Sequence, residues 1–287
     1  MPKILITGAS GMLGRYVHRK VKAAGFDVIA PARTDMDLMQ PKKVCSFIRE
    51  EAPDAVLHLA AETNVDLCER DPRRGAIANQ LATRAVAQAA QDVRAWLLLI
   101  STSNVFGADG KPLSNELDVP CPVNYYGRSK LFGEKEVETM YSSNSFIIRA
   151  GWMIGGGREY DHKFVGKIIE QITKGSDTLR AVADKYGTIT SASALADFII
   201  VSLKAQRLGL VHFASQGVVS RFDILDELVR IVSFNGRIEP AMSSEFPLSA
   251  PRPVFEGIQS IYVDASEDCA PRFWRDDLRS YLSEFGF

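Results

Sequence analysis

The sequence predicts an α/β protein built on a doubly wound parallel sheet of Rossmann type, with a smaller C-terminal lobe, and three observations support this class. Short apolar runs rich in Ile, Leu and Val alternate with longer amphipathic runs. A glycine-rich turn joins the first run of each kind. No internal repeat or low-complexity linker interrupts the alternation. Because a strand, a helix and a second strand form a right-handed crossover, this pattern gives parallel strands with helices on both faces.

The individual elements follow from the same patterns. Apolar β-rich runs predict strands over residues 3–7, 27–31, 55–61, 96–100 and 210–214. Amphipathic spacing predicts helices over residues 12–24, 41–51, 72–91, 164–174, 193–204, 222–232 and 273–285. Proline at the first position of two of these helices, Pro41 and Pro72, fits a helix start. In such a sheet, ligands bind at the carboxyl ends of the strands.

Composition limits the classes of function. The chain has 287 residues, of which 46% are hydrophobic and 24% charged, and a formal net charge of −1. That charge provides no general basic surface, so we expect no nucleic-acid partner. The apolar runs are too short to span a bilayer. The four cysteines form no C-x-x-C pair and the chain opens directly on a strand pattern, so we expect a reducing, cytoplasmic setting.

The turn after the first strand is the first candidate binding site. Its glycines Gly8, Gly11 and Gly14 have three-residue spacing, with Ser10, Met12 and Leu13 between them. Such a turn lets the backbone approach a pyrophosphate while the helix N-terminus directs free N–H groups at the anion. The spacing G-x-x-G-x-x-G differs from the general G-x-G-x-x-G fingerprint. A purely structural turn is the alternative, but the position predicts a dinucleotide site.

The residues after the second strand indicate which dinucleotide fits. An acidic residue there would bind a ribose 2′-hydroxyl, whereas an arginine would pair with a 2′-phosphate. The chain has Arg33 at this point, and Arg15 adds a second cation just beyond the glycine turn. The pattern favours NADP(H) without excluding NAD(H). Asp35 and Asp37 follow closely and would reach the ribose or adenine if the strand ended two or three residues later.

Two further stretches contain candidate catalytic side chains. Tyr126 precedes Lys130 by four residues, which places both on one face of a helix, whereas Tyr125 does not share that spacing. An ammonium beside a phenol lowers the phenol pKa and suits it to protonate a carbonyl oxygen. Thr102, after the fourth strand, is placed to hydrogen-bond the same oxygen. Tyr and Lys at this spacing are also common on ordinary amphipathic helices.

Several motifs together resemble one superfamily. They are Thr7 to Gly14, His58 to Ala61, Ser101 to Gly107 and Tyr126 to Lys130. These segments resemble the extended short-chain dehydrogenase/reductases. Within that superfamily the likeness is to dTDP-4-dehydrorhamnose reductases, through residues 60–69, 148–155 and 184–190 and the late Arg252-Pro253 pair. The resemblance covers essentially the whole chain.

The resemblance implies NADPH-dependent reduction of the C4 carbonyl of a nucleotide-activated 4-keto-6-deoxyhexose. It makes Tyr126 the proton donor, Lys130 the residue that holds the nicotinamide ribose and lowers the phenol pKa, and Thr102 the residue that orients the carbonyl. Cofactor contacts are then expected from Gly8, Ser10, Gly11, Met12, Leu13, Gly14, Arg33, Asp37, Leu38, Ala60 and Ala61. Substrate contacts are expected from Thr63, Ser103, Asn104 and Trp152.

The same resemblance implies a division into two parts. Residues 1–152 form the dinucleotide-binding domain, to which about 190–214 return, and residues 153–189 and 215–287 form a substrate-binding lobe. The cations Arg149, Lys163, Lys185 and Arg252 are candidates to meet a diphosphate, although surface roles are the commoner ones for such residues. A homodimer is left open.

The chain departs from the reductase pattern at three places. Ser103-Asn104 replace Asp-Tyr, and they also lack the Asp-Glu pair that a sugar-nucleotide 4,6-dehydratase needs after the threonine. In the loop 184–190, Gln and Pro of the family pattern are missing, which alters a loop expected close to the substrate. Tyr16 stands where some of these reductases have a metal-binding glutamate, so we expect no metal.

Two other functions remain open at this point. An epimerase with the same fold would remove and return the hydride and would hold NAD tightly. A non-catalytic regulatory subunit is the other, because a regulatory subunit of methionine adenosyltransferase also resembles these reductases. The complete Thr102, Tyr126 and Lys130 set argues against the second of these alternatives.

Overall fold

The structure is a computed structural model that describes residues 1–263 and 269–287; residues 264–268 of the predicted lobe lie outside the described part. Strands are numbered in chain order. They are β1 (Lys3–Thr7), β2 (Asp27–Ile29), β3 (Ala55–His58), β4 (Trp96–Thr102), β5 (Leu113–Ser114), β6 (Ser145–Ala150), β7 (Trp152–Ile154), β8 (Thr178–Val182), β9 (Tyr186–Gly187), β10 (Ile189–Ser191), β11 (Gly209–Phe213), β12 (Val219–Ser220), β13 (Arg237–Ala241) and β14 (Phe255–Ile258).

Helices connect most of these strands. They are α1 (Met12–Ala23), α2 (Pro41–Glu51), α3 (Val65–Arg70), α4 (Pro72–Gly75), α5 (Ala82–Val93), α6 (Tyr125–Tyr141), α7 (Gly157–Tyr160), α8 (Phe164–Thr173), α9 (Ala192–Ala205), α10 (Arg221–Ile231) and α11 (Trp274–Leu282). A π-helical segment, Ala76–Leu81, joins α4 to α5, and 3-10 turns cover Ser103–Val105, Ser142–Asn144, Ser243–Glu245 and Ser283–Phe285.

Six strands form the main sheet in the order β2-β1-β3-β4-β6-β11, and every neighbouring pair is parallel. The chain leaves β1 to build β2 on one side and returns to build β3 on the other. This reversal is the topological switch point of a doubly wound sheet, where ligands bind outside the carboxyl ends of the strands. The predicted fold class is therefore confirmed.

Both faces of this sheet are covered by helices. On one face, Ile4, Ile6 and Leu57 pack in a cluster that includes buried residues of α1 and α9. On the other face, Leu5 and Val56 pack in a cluster that includes buried residues of α2, α5 and α6. Alternate residues of one strand thus face different helical layers. This burial explains why the strands are continuous apolar runs, not alternating ones.

A further hydrophobic cluster is built from the later part of the chain. Its buried members come from β7, α8, β8, β10, β12, α10, α11 and the last 3-10 turn. They include Ile168, Leu179, Leu225 and Trp274. Short strands form two- and four-stranded sheets around this cluster, in the orders β10-β7, β13-β8 and β12-β9-β14-β5. These small sheets place β7, α10 and β14 beside the end of the main sheet.

The observed elements differ from the predicted ones mainly at their ends. The second and third strands end at Ile29 and His58 instead of residues 31 and 61, so Arg33 and Ala60 lie on loops. The helix predicted over 72–91 contains the π-helical segment and extends to Val93. Helix α3 and the short strands around the third, later cluster lie outside the sequence prediction. Among the described residues, no helix is both long enough and apolar enough to cross a membrane.

Candidate active site

The glycine-rich turn between β1 and α1 forms one end of a large cavity. Gly8 has a φ of +71°, and a Cβ there would lie 2.9 Å from the Cα atom of Ala60. A Cβ on Gly14 would lie 2.0 Å from the carbonyl oxygen of Gly8. Within the described chain, no side chain caps α1 and its first turn carries no acidic residue. The helix N-terminus therefore presents backbone N–H groups to an anion such as a pyrophosphate.

The cavity has a volume of about 720 Å³ and extends from the glycine turn to α6 and β7. It brings together the predicted cofactor and catalytic residues. Those that line it are Gly8, Ser10, Gly11, Met12, Leu13, Gly14, Arg33, Asp37, Leu38, Ala60, Ala61, Thr102, Tyr126 and Lys130. These residues come from five separate parts of the sequence, so their convergence is a property of the fold.

The four predicted substrate residues divide into two groups. Thr63, Asn104 and Trp152 line the cavity. Ser103 does not line it, because its side chain is only 1% exposed and its Oγ lies 3.5 Å from Oε2 of Glu256. The expected direct contact between Ser103 and a substrate therefore has to be corrected. Ser103 contributes to the site only through its contact with a buried carboxylate.

The two predicted phosphate-binding cations also behave differently. Arg33 lines the cavity with a side chain that is 74% exposed, and its Nε lies 3.8 Å from Oδ1 of Asp37. Arg15 instead donates from Nε to the carbonyl oxygen of Ser10 at 3.0 Å. Its guanidinium carbon lies 3.3 Å from the centroid of the Tyr160 ring. Of this pair, Arg33 is the cation that faces the cavity.

The three candidate catalytic side chains meet where β4 ends against α6. Tyr126 is 9% exposed and Lys130 is 4% exposed. The side chain of Thr102, the last residue of β4, lies close enough to the phenol of Tyr126 to favour its ionised form. Lys130 donates from Nζ to the carbonyl oxygen of Ile100 at 2.7 Å. The helical spacing read from the sequence thus places Tyr126 and Lys130 at the same strand end.

The neighbouring Tyr125 has different surroundings. Its side chain is 43% exposed, and the guanidinium carbon of Arg128 lies 5.5 Å from its ring centroid. Asn124 caps α6 by accepting the N–H of Gly127 at 2.8 Å, which fixes the helix start just before the two tyrosines. Because only Tyr126 lines the cavity, the structure separates the two tyrosines as the helical spacing predicts.

Burial changes the acidity of both site residues. It raises the pKa of Tyr126 to about 12, with the Thr102 side chain acting in the opposite direction. It lowers the pKa of Lys130 to about 8, opposed by the charge of Glu134. The expected lowering of the phenol pKa by Lys130 is therefore not what this site displays. Tyr126 holds its proton at neutral pH, the form that a proton donor needs.

Arg221 and Lys163 are two neighbouring cations of the cavity lining that the sequence did not identify as a pair. Neither forms a salt bridge with a described residue. The guanidinium carbon of Arg221 lies 3.8 Å from the Trp152 ring centroid and 5.3 Å from that of Phe164. Burial lowers the pKa of Arg221 to about 10 and also lowers that of Lys163. Neither cation is in salt-bridge contact with a carboxylate of the described chain, although Asp161 acts on the pKa of both and Glu256 on that of Arg221, so both have donors left for an anionic ligand.

Only an indirect sequence signal marks Arg221. It is the first residue of α10, after the N-cap Ser220, which forms a capping box with Asp223. The Ser-x-x-Asp pattern predicts where a helix starts. It does not predict which cavity the first side chain enters, since that depends on how α10 packs against β8 and β12. Lys163 was a sequence candidate, but nothing in the pattern distinguished it from the other cations.

Those other cations have partners elsewhere. Arg149 pairs with the buried Glu134, with Nη2 2.6 Å from Oε2, and Arg252 pairs with Asp66 at 2.9 Å. Lys185 donates to the carbonyl oxygen of Arg252 at 2.9 Å. None of the three lines the cavity in the described structure. The commoner, structural role was therefore the correct expectation for them.

The loop 184–190 affects the cavity only indirectly, through a residue that it contacts. None of its residues lines the cavity in the part of the chain that is described, so its expected place next to a substrate has to be corrected. Gly187 lies against the indole of Trp152, because a Cβ there would be 2.7 Å from Cε2. The carbonyl oxygen of Thr188 accepts the backbone N–H of Trp152 at 2.7 Å. The loop therefore positions Trp152.

Tyr16 takes part in a contact between α1 and the end of the chain. Its hydroxyl donates to Oε2 of Glu284 and accepts the N–H of Gly156 at 3.0 Å. Within residues 1–263 and 269–287, no group of three or more His, Cys, Asp or Glu side chains is arranged to hold a metal ion. The hydrogen bonds give Tyr16 a structural role.

A glycine-rich phosphate turn and a Thr, Tyr and Lys set in one cavity define an extended short-chain dehydrogenase/reductase. The chain belongs to the family of the RmlD substrate binding domain, whose model matches residues 2–287. It is thus an NAD(P)-dependent oxidoreductase.

Solved structures and relatives agree with this membership. The dTDP-4-dehydrorhamnose reductase of Yersinia enterocolitica is 52% identical with a TM-score of 0.97, covering 99% of this chain and 100% of that one. The enzyme of the same name from Bacillus anthracis, in complex with NADP, is 27% identical with a TM-score of 0.91, covering 99% of both chains. The dTDP-4-dehydrorhamnose reductase of Mycolicibacterium smegmatis is 32% identical over 285 residues, 98% of this chain and 85% of that protein.

Proposed function

We propose that this protein reduces the C4 carbonyl of a dTDP-activated 4-keto-6-deoxyhexose with NADPH. One observation carries the proposal. One cavity is lined by the glycine-rich turn, by Thr102 and Tyr126, and by the cations Arg221 and Lys163, neither of which forms a salt bridge with a described residue. Such a cavity suits two anionic ligands whose reacting ends meet at Tyr126. The relatives that carry the name dTDP-4-dehydrorhamnose reductase support this substrate class.

The residues at the first end fit a bound NADP(H). Gly8 and Gly14 leave space where side chains would collide with backbone, and the N-terminus of α1 faces the same space. Ala60 and Ala61 add only small side chains to the lining. Arg33 would pair with a 2′-phosphate. The NADP complex of the Bacillus anthracis relative supports the same cofactor.

The residues at the second end fit a nucleotide sugar. Arg221 and Lys163 would bind the diphosphate, because guanidinium and ammonium groups both form charge-assisted hydrogen bonds to phosphate oxygens. Trp152 lines the same end, with the Arg221 guanidinium over its ring and Gly187 packed against its indole, so its position there is fixed. Asn104 adds an amide at the edge of the same pocket.

Bound NADPH supplies the hydride for this reaction. Thr102 donates its hydroxyl to the C4 carbonyl oxygen and orients it towards Tyr126. Tyr126 then transfers its phenolic proton to that oxygen as the carbonyl becomes an alcohol. Once the alcohol has formed, the Thr102 hydroxyl turns from the sugar oxygen to the phenolate, whose formation it favours against the effect of burial. Lys130 binds the nicotinamide ribose and adds a positive charge nearby.

We also propose that the chain divides into a dinucleotide-binding domain and a substrate-binding lobe. The buried members of the two clusters on the main sheet fall in residues 1–152 and 190–214. The buried members of the third cluster fall in 153–189 and 215–287. These memberships support a dinucleotide-binding domain and a substrate-binding lobe at the predicted boundaries. A homodimer and a cytoplasmic location stay predictions.

The proposal is tested by turnover. Purified protein is mixed with NADPH and a panel of dTDP- and UDP-activated 4-keto-6-deoxyhexoses, and absorbance at the nicotinamide band is followed. We expect one NADPH oxidised for each sugar reduced with a dTDP-linked substrate. A protein that interconverts sugars without consuming NADPH would be an epimerase, and no reaction across the panel would contradict the proposed function.

The cofactor preference gives a prediction for Arg33. Arg33→Ala is expected to raise the KM for NADPH by about tenfold to a hundredfold, because a hydrogen bond to a charged group contributes about 1.5–3 kcal/mol. The KM for NADH, which has no 2′-phosphate, is expected to stay nearly constant. Steady-state kinetics with both cofactors measure the two values. Arg15→Ala is the control, and an equal effect of Arg33→Ala on both cofactors would oppose the assignment.

The acidity of Lys130 gives a prediction for pH. We expect kcat/KM for reduction to fall as pH rises through about 8, because Lys130 loses its charge there while Tyr126, at about 12, keeps its proton. A profile of kcat/KM reports groups of the free enzyme and is the appropriate measurement. Lys130→Arg, which retains the cation, is expected to move the decrease to higher pH. A profile that is flat through pH 8 contradicts the role of Lys130.

A further inference from the structure

Glu256 is a buried carboxylate behind the sugar end of the cavity. It lies on β14, is 7% exposed and is not part of the cavity lining. Its Oε1 accepts the indole N–H of Trp152 at 2.7 Å. Its Oε2 accepts the side-chain amide of Asn104 at 2.6 Å and lies 3.5 Å from Oγ of Ser103. A buried carboxylate needs such donors to balance its lost hydration.

The two main donors belong to different parts of the site. Asn104 donates its backbone N–H to Oγ1 of Thr102 at 3.2 Å. Its side-chain oxygen accepts from Asn124, the N-cap of the helix that carries Tyr126, at 3.3 Å. Through Asn104, the Glu256 carboxylate is therefore linked to both groups that would contact the carbonyl oxygen.

The other donor, Trp152, connects Glu256 to the cation end of the cavity. The guanidinium of Arg221 stacks on the Trp152 ring, and the charge of Glu256 favours the protonated form of Arg221 against the effect of burial. In return, Arg221 and Arg252 favour the ionised form of Glu256, although burial raises its pKa. The charges of Glu256 and Arg221 thus support each other across one indole ring.

We propose that Glu256 is a positioning residue that holds Asn104 and Trp152 in one arrangement, so that the sugar C4 carbonyl lies at Thr102 and Tyr126. This role rests on the proposed function, because it needs a sugar that spans the two halves of the site. It assigns to β14 a part in selecting the substrate. Glu256 itself touches neither ligand.

Replacement of Glu256 by glutamine, which has nearly the same size but no charge, separates this role from simple packing. In Glu256→Gln, the side-chain oxygen can still accept from Trp152, but its amide then faces the amide of Asn104, donor against donor. A misplaced reacting group lowers the rate by up to about a hundredfold. We expect kcat to fall by about tenfold to a hundredfold, with a much smaller change in KM. The double variant Asn104→Asp with Glu256→Gln restores a donor and acceptor pair, and kcat is expected to recover.

A second readout does not depend on turnover. The fluorescence of Trp152 is obtained as the difference between proteins with and without Trp152→Phe. Glu256→Ala is expected to shift the Trp152 emission, because the indole loses its acceptor, whereas Glu256→Gln leaves the emission unchanged. Absence of turnover in the unmodified protein would reject the proposed function, and the emission would still test the contact with Glu256.

Each outcome of these experiments either supports or overturns the positioning role of Glu256. A lower kcat in Glu256→Gln, its recovery in the double variant and a shifted Trp152 emission in Glu256→Ala support the positioning role. Failure of the double variant to recover, wild-type kcat in Glu256→Gln, or unchanged emission in Glu256→Ala overturns it. Thermal unfolding of each variant establishes that the comparison is made on folded protein, and the glutamine variant provides the test if the alanine variant does not fold.

Discussion

Tyr126→Phe is expected to lower kcat/KM for sugar reduction by about a hundredfold to ten-thousandfold, the usual contribution of a positioned proton donor. The substitution removes one hydroxyl from a side chain that is 9% exposed and whose pKa Thr102 lowers from close by. The ring and its packing remain, so the fold and NADPH binding should change little. Initial rates of NADPH oxidation measure the loss, and fluorescence titration measures cofactor binding.

Tyr125→Phe is the matched control for this prediction. It removes the same hydroxyl from the preceding residue, whose side chain is 43% exposed and does not line the cavity. Its kcat/KM should stay close to that of the unmodified protein. Equal activity of the two variants would contradict the assignment of Tyr126 as the proton donor. A large loss of activity in Tyr125→Phe alone would identify Tyr125 as the donor instead.

Arg149→Met is expected to destabilise the fold by about 3–5 kcal/mol, because it leaves a buried carboxylate without its charge partner. Arg149 and Glu134 are 4% and 0% exposed and lie 2.6 Å apart. Glu134 also accepts from Ser101, which adjoins Thr102 at the end of β4. Urea denaturation followed by circular dichroism gives the change in the free energy of unfolding.

An exposed ion pair supplies the control for this second prediction. Arg230 and Asp226 also lie 2.6 Å apart, but their side chains are 65% and 37% exposed. Arg230→Met should therefore change the free energy of unfolding little, since water solvates the remaining carboxylate. Similar effects of the two substitutions would show that burial of the Arg149 pair carries no special cost.

The parts of the site that could be predicted from the sequence are those set by local spacing. A strand, a glycine-rich turn and a helix follow one another within residues 3–24. The residues that form this part of the site are therefore adjacent in the sequence, and their spacing is enough to predict it. The same holds for Tyr126 and Lys130, which are one helical turn apart on α6. Their burial at the end of β4 required only that the sheet form in the expected order.

The substrate end could not be predicted in this way because its residues meet only through tertiary packing. Trp152, Arg221 and Glu256 lie on β7, α10 and β14, in three well-separated parts of the sequence. No periodic pattern connects them. Strands of two to four residues, such as β9 and β14, pair only because the surrounding lobe holds them together. Intrinsic strand preference is too weak to specify such short elements.

Ser103 illustrates the same limit at the scale of one residue. Its position after Thr102 suggested contact with a substrate, since neighbours in sequence are neighbours in space. Residues 103–105 form a 3-10 turn, which directs Asn104 into the cavity and Ser103 towards Glu256. The side-chain direction was decided by the turn type and by a carboxylate about 150 residues further along the chain.

Transfer of a labelled hydride tests the central claim most directly. The protein is incubated with NADPH that carries deuterium at both C4 positions of the nicotinamide, and with a dTDP-4-keto-6-deoxyhexose, and the sugar product is analysed by NMR and mass spectrometry. The account predicts one deuterium per product, bound to C4 of the sugar, in a 4-hydroxy-6-deoxyhexose. A product without deuterium, or with deuterium on a different carbon, would contradict reduction of the C4 carbonyl at this site.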